Sequence, residues 1–229
     1  MSFAAGSGIE RQFLKWSPPT GPDLDREIAR LRWAGTRIVV PTVIARGHDA
    51  EGSWFVSRAL DGDNAVAPRW VLDPRTAVTA IGQGLRALHD VLPVERCPFS
   101  WSAQGRVARA RLRTEAGLQD PTAWNPAHRD LPIAEALAIV RTPPPVDQLV
   151  VCHGDACAPN TLIDDTGRCS GHVDLGSLGV ADRWADLAIA TWSTQWNYGP
   201  GWEDVLLEAY GIDPDPVRTT YYRLLWDLT

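Results

Sequence analysis

The reactive side chains of this 229-residue chain are concentrated in Cys152-His153-Gly154-Asp155-Ala156-Cys157-Ala158-Pro159-Asn160, with Asp174 following downstream. The run lies between two strand candidates, Gln148 to Cys152 and Thr161 to Ile163, and loops at strand ends are where catalytic groups collect. A further strand is expected at His172 to Leu175, and Asp164-Asp165-Thr166-Gly167 before it has the length and residues of a hairpin turn. Such a hairpin brings Asn160 and Asp174 together from its two ends. One amide oxygen and one carboxylate then make a donor set for a hard divalent cation, with Asp155 alongside. Two oxygen ligands for Mg²⁺ on nucleotide phosphates, plus a separate carboxylate to accept or orient the proton of an attacking hydroxyl, are the equipment of phosphoryl transfer. Taken singly, Asp155 and Asp174 read equally well as turn caps and His153 as a satisfied core histidine. The four in this order and spacing point to chemistry.

A second signal is a count. Lys15 is the single lysine among 22 basic residues; all the others are arginine. Chance is one reading. The other is that this position needs a compact point charge, which the planar guanidinium fork cannot imitate.

The elements that must position these groups follow from periodicity. A short apolar run from Gln12 to Trp16 reads as a strand and ends at Pro18-Pro19-Thr20-Gly21-Pro22, a turn cluster. Asp23 is placed to cap a helix from about Leu24 to Ala34, whose Leu24, Ile28 and Leu31 form one apolar stripe with Glu27 beside it. Ile38 to Ala45 and Ser53 to Ser57 read as strands around the His48–Gly52 turn. After Asp61 helices dominate: Asp73 to Val91, about Gln104 to Ala116, Leu131 to Val140, Asp182 to about Trp196, Trp202 to Tyr210, and Pro216 to the end. The change of pattern places a boundary near Asp61.

Hydrophobic residues make up 45% and charged residues 22% of the chain, close to the globular average and far from disordered or fibrous classes. A net charge of -6 argues against nucleic acid or an anionic membrane as partner and suits a cationic small molecule. The longest apolar stretches fall well short of the roughly 20 residues of a membrane helix, and the N-terminus lacks a basic-then-apolar export signal. A cytoplasmic chain is expected. Cys97, Cys152, Cys157 and Cys169 are expected as reduced thiols, since neither the context nor the spacing suits a disulfide framework or zinc.

His153-Gly154-Asp155-x-x-x-x-Asn160, Gly171-His172-Val173-Asp174-Leu175-Gly176 and Gly179-Val180-Ala181-Asp182-Arg183-Trp184-Ala185-Asp186-Leu187-Ala188 resemble the aminoglycoside phosphotransferases, in particular the 3'-phosphotransferase (kanamycin kinase) group. The resemblance continues through Glu27–Trp33, Arg86-Ala87-Leu88-His89 and Cys97-Pro98-Phe99, then through Tyr210-Gly211-Ile212 and Tyr222–Leu225, nearly the whole chain. It implies an α+β, protein-kinase-like two-lobe fold: an incomplete, β-rich nucleotide-binding lobe with hinge over 1–61, and a larger, mainly helical catalytic and substrate-binding lobe over 62–229. It implies Asp155 as catalytic base, Asn160 and Asp174 as magnesium ligands, Lys15 on the nucleotide phosphates, and Glu27 orienting Lys15. The family's hinge maps onto Ser57-Arg58-Ala59, so the backbone of Ser57 and Ala59 is expected to meet the adenine edge. The implied activity is ATP-dependent transfer of the γ-phosphoryl group to an aminoglycoside hydroxyl, the 3'-hydroxyl first, conferring antibiotic resistance. GTP is not separated from ATP, and a monomer or weak dimer is expected. A kinase of the same fold for another small alcohol, and a catalytically inactive kinase-like binding protein, are the alternatives. Intact Asp155, Asn160, Asp174, Lys15 and Glu27 argue against the second.

The departures are as specific. Relatives begin with two further strands and a nucleotide-covering loop, whereas about one strand precedes Lys15 here, so the chain is expected to be truncated at its N-terminus, with an exposed sheet edge. Gly6-Ser7-Gly8 is expected to be the turn of the hairpin into the Lys15 strand. The Gly-Arg that usually follows the magnesium aspartate is Gly176-Ser177. Where relatives hold ammonium groups with acidic residues, this chain has Trp124-Asn125-Pro126-Ala127-His128 and Trp196-Asn197. Asp227 and the C-terminal carboxylate of Thr229 remain as acidic substrate-binding candidates. Trp124, Trp192, Trp196, Trp202 and Trp226 read as core residues, or some of them as walls of a pocket for a flatter or less charged acceptor.

Overall fold

The structure is a computed structural model that describes residues 2–6 and 11–229; Ser7 and Gly8 of the expected hairpin turn lie outside the described residues. Strand β1 (Ser2–Ala5) runs antiparallel to β2 (Gln12–Ser17), with Ser2 opposite Lys15. The Pro18–Pro22 turn leads into α1 (Leu24–Ala34), where the Asp23 carboxylate accepts the Asp25 N–H at 3.0 Å, satisfying one of the free donors of the first turn. Strands β3 (Val43–His48) and β4 (Ser53–Arg58) complete a four-stranded antiparallel sheet of order β1-β2-β4-β3. The strand expected from Ile38 begins only at Val43. Pro41 has no N–H to give a ladder, and the Ile38 N–H is still bonded to the Ala34 carbonyl at the end of α1.

Beyond Asp61 come β5 (Asp63–Asn64), α2 (Pro68–Val71), α3 (Pro74–Val91), α4 (Ala103–Glu115) and α5 (Ile133–Val140). They are followed by β6 (Leu149–Cys152), β7 (Thr161–Ile163), β8 (Cys169–His172), β9 (Gly179–Asp182), α6 (Trp184–Tyr198), α7 (Glu203–Tyr210) and α8 (Pro216–Asp227). β7 and β8 form the expected hairpin and β5 adds to its edge, while β6 pairs with β9. The second hairpin strand ends at His172, not Leu175: the Val173 N–H donates to the Asn160 carbonyl at 3.0 Å, and Asp174 takes a left-handed conformation, φ 59°, ψ 49°. Strand β9 was not legible locally because its partner, β6, lies far upstream. No helix among the described residues is long and apolar enough to cross a membrane.

Two apolar clusters hold the chain together. The larger packs α3, α6, α7 and α8 around Leu85, Trp184, Leu187, Leu206 and Leu225. There α3 and α7 approach so closely that a Cβ on Gly82 would lie 2.5 Å from the Leu206 carbonyl oxygen. The smaller joins the stripe of α1 and Phe55 of β4 to Leu88, Val151, Leu175 and Leu178, so it draws on residues from both sides of Asp61. Each fully buried side chain of this size contributes about 1.5–3 kcal/mol. The cluster therefore fixes α1, and Glu27 on it, against the segment that carries Asp174.

Candidate active site

Lys15 points from β2 into a cavity of about 320 Å³ lined by both the four-stranded sheet and the β7–β8 region. Its ammonium donates to both oxygens of Glu27, at 2.7 and 3.0 Å, and to Asp174 Oδ1 at 2.6 Å. Burial works against the Lys15 charge, but Glu27 and Asp174 more than offset it and hold its pKa above the ordinary lysine value. Glu27 is pushed up by burial beyond what Lys15 recovers. The one lysine is thus the shared cation of two carboxylates contributed by α1 and by the turn after β8. A single rotatable ammonium can serve both, and the fixed plane of a guanidinium suits this less well.

The loop between β6 and β7 is fixed by a group that sequence reasoning left without a role. Asp186, fully buried near the start of α6, accepts the His153 N–H at 2.6 Å, the Gly154 N–H at 2.9 Å and His89 Nε2 at 3.0 Å. His89 Nδ1 in turn meets the Tyr210 hydroxyl at 2.8 Å. Burial pushes the Asp186 carboxyl up, but His89 and the backbone donors outweigh it and leave it below the usual carboxylate range. The signal that could have found it is a carboxylate set among Ala185, Leu187 and Ala188 in the otherwise apolar first half of the helix, since such a charge is kept only when it is paired. His89, Cys152 and Asp186 are also the one group among the described residues with metal-ligand atoms clustered. With both ring nitrogens of His89 and both oxygens of Asp186 already bonded, they are a structural knot.

Gly154 has φ +83°, and a Cβ there would fall 2.2 Å from the Ser177 carbonyl oxygen, so only glycine lets the loop lie against the turn after Asp174. The Asp155 N–H donates to His153 Nδ1 at 3.2 Å, and His153 Nε2 reaches the Val173 carbonyl at 2.9 Å. These bonds require the Nε2–H tautomer. Half-buried Asp155 is aimed by this frame.

Asn160 follows on the same loop. Its carboxamide N–H donates to the Asp155 carbonyl at 2.9 Å, which leaves the amide oxygen as its acceptor, and its own carbonyl accepts from Val173, the neighbour of Asp174. Asp174 is the one non-glycine residue with positive φ among the described residues, a strain of about 1–3 kcal/mol that surrounding packing sustains. An amide oxygen and a half-exposed carboxylate brought together this way fit a hard cation such as Mg²⁺ in donor type.

The cavity extends from Lys15 past Phe13 and Phe55 to Ser57 and Ala59. Ser57 is paired within the sheet to both Phe13 and Val43. The Ala59 N–H, expected to be free for a purine edge, donates to the Arg11 carbonyl at 2.9 Å, so a base using that donor must displace Arg11. Of the two acidic candidates near the C-terminus, Asp227 is engaged within the fold. Asp227 is nearly buried, accepting from His128 Nδ1 at 2.6 Å and from the Asn125 N–H at 3.2 Å. The hydroxyl of Thr229 accepts from the buried Arg106 at 3.2 Å and donates to the Leu225 carbonyl at 2.8 Å. The four cysteines are unpaired, and burial beside Asp155 pushes the Cys157 thiol up, so it stays protonated.

This geometry has counterparts in known proteins. The model of the phosphotransferase enzyme family matches residues 6–220. An aminoglycoside 3'-phosphotransferase of Streptomyces fradiae is 39% identical, over 89% of this chain and 78% of its own. A streptomycin 3''-kinase of Streptomyces griseus is 35% identical, over 90% and 80% respectively. Among solved structures, the aminoglycoside phosphotransferase APH(3'')-Id of Streptomyces rimosus, in complex with ADP and streptomycin, superposes with a TM-score of 0.80 at 30% identity. That match covers 95% of this chain and 86% of the other.

Proposed function

This chain belongs to the phosphotransferase enzyme family, and from that premise we propose that it transfers the γ-phosphoryl group of ATP to a hydroxyl of an aminoglycoside, the 3'-hydroxyl first. The observation that carries the reading is the Lys15 ammonium held between Glu27 and Asp174, within a cavity that runs to Ser57 and Ala59. It is a preformed cationic contact for phosphates at the mouth of a base-sized pocket. Lys15 neutralises charge on the nucleotide phosphates, and Glu27 keeps it charged and aimed. Asn160 and Asp174 are the residues that would hold Mg²⁺, which supplies Lewis-acid neutralisation of the β- and γ-phosphate oxygens. Asp155 orients the acceptor hydroxyl and takes its proton as the oxygen attacks in line, and Asp186 holds the Asp155 loop in register through two backbone N–H groups.

The test is mass spectrometry of kanamycin, neomycin and streptomycin after incubation with the protein and Mg-ATP, with Asp155→Asn as the control. One phosphoryl mass added by the wild type and absent with the variant is expected, and chelation with EDTA should abolish it. No product from any aminoglycoside overturns the reading. The capping of Asp227 by His128 favours one second reading, a kinase of this fold for a less cationic alcohol; neutral polyols in the same assay distinguish the two.

A further inference from the structure

Arg106 of α4 is a buried charge without a counter-charge. It is 1% exposed. Its Nη2 donates to the Thr229 hydroxyl at 3.2 Å, while Nε and Nη1 are buried with no hydrogen-bond partner, so most of the five guanidinium N–H groups are idle. No carboxylate is paired with it among the described residues. Burial pushes its pKa down only to about 10, so it stays protonated at neutral pH. The Tyr221, Tyr222 and Cys152 side chains that act on it cannot supply the missing charge. Burial pushes all three up, Tyr221 to about 12, and they remain neutral.

The surroundings add to the positive field. Arg106 and Arg109 both lie over Trp101, 4.8 and 5.1 Å from its ring centroid. Phe99, two residues back, carries Arg30 at 4.7 Å, and Val180 bonds to both Phe99 and Trp101 through its backbone. Neither Arg30 nor Arg109 is paired with a carboxylate among the described residues. Burial and the nearby Arg26 guanidinium push both below the ordinary arginine range. A sector of α1 and α4 is thus electropositive in a chain whose net charge is -6. A buried ion persists where it is paired and hydrogen-bonded, and guanidiniums that repel one another around idle N–H donors offer an anion what the fold itself does not supply.

We propose that Arg106 holds one small inorganic anion of the halide class, chloride above all, between α4 and the end of α8. The anion sits on an edge of the guanidinium fork, since both edges keep a free N–H beside the Nη2 bond to Thr229. At this burial a single atom needs less room than a tetrahedral oxyanion. Its role is to brace the seam that fixes the last turn of the chain, where Gln119 Nε2 also donates to the Ala110 carbonyl at 3.3 Å and the Leu228 carbonyl at 3.0 Å.

The experiment compares melting temperatures in chloride and in gluconate at constant ionic strength, for the wild type and for Arg106→Met, which keeps much of the volume and removes the charge. For a Kd of about 1 mM, exchanging gluconate for chloride from about 1 to about 100 mM should raise the wild-type Tm by about 5 °C and leave Arg106→Met unchanged. A bromide-soaked crystal of the wild type should show an anomalous peak within hydrogen-bond reach of Arg106 Nε or Nη1, a result that decides the matter even where the variant does not fold. Equal wild-type Tm in the two salts overturns the assignment, and so does a chloride effect that persists in Arg106→Met. Bromide confined to exposed side chains, an adventitious ion only, or the Thr229 carboxylate found seated on Arg106, overturns it as well.

Discussion

Replacing Asp186 by asparagine changes no volume and removes only a charge and one acceptor, which makes it a sharp probe of how the Asp155 loop is held. One carboxylate oxygen accepts the Gly154 N–H; the other accepts both the His153 N–H and His89 Nε2. An asparagine has one oxygen for these positions. Whichever way the amide turns, its NH₂ faces a buried backbone N–H, and His89 can adapt its tautomer but the backbone cannot. The variant loses one hydrogen bond to a charged acceptor, worth about 1.5–3 kcal/mol, and strands one buried donor at a further cost of about 1–3 kcal/mol. A loss of about 3–5 kcal/mol is expected, a large part of the roughly 5–15 kcal/mol typical of folded domains. Urea unfolding of both proteins, followed by fluorescence, measures it as a lower midpoint at constant m-value. A loss under about 1 kcal/mol would refute the claim that Asp186 anchors the loop.

Three further outcomes follow from the same geometry. Burial, with His153 nearby, depresses the His172 pKa to about 3 against about 6.5 unfolded; a depressed histidine contributes stability that is complete above pH 6.5 and lost as pH falls toward 3. Wild type should therefore lose about 2 kcal/mol more than His172→Gln between pH 7 and 5, read by urea titration at each pH. Lys15→Ala leaves Glu27 and Asp174 without their shared cation and should lower kcat/KM by about 10²–10³, measured by coupled ADP release; a loss under tenfold contradicts the phosphate role. Gly154→Ala drives a methyl group into the Ser177 carbonyl at positive φ and should cost at least about 2 kcal/mol, or about 4–8 °C in Tm by calorimetry.

The sequence by itself determined the local elements and the chemistry they carry. Leu24 to Ala34 reads as a helix from its Asp23 cap and apolar stripe, and Asn160 and Asp174 are legible as neighbours because a short hairpin joins them. Lys15 stands out as a lone point charge, and the loop glycine and aspartate carry a recognisable spacing. Tertiary structure decided what depends on partners distant in the chain. Asp186 is a loop anchor only because α6 returns beneath Gly154, and β9 exists only because β6 is there to pair with it. Asp227 lost its role as an open acid when His128 met it across the fold, and the Ala59 N–H was taken by Arg11 from the neighbouring strand's start. The physical reason is the same in each case. Propensity, capping and turn chemistry act over a few residues and are written in composition, whereas satisfying a buried charge or a backbone donor depends on which groups packing brings within hydrogen-bond reach.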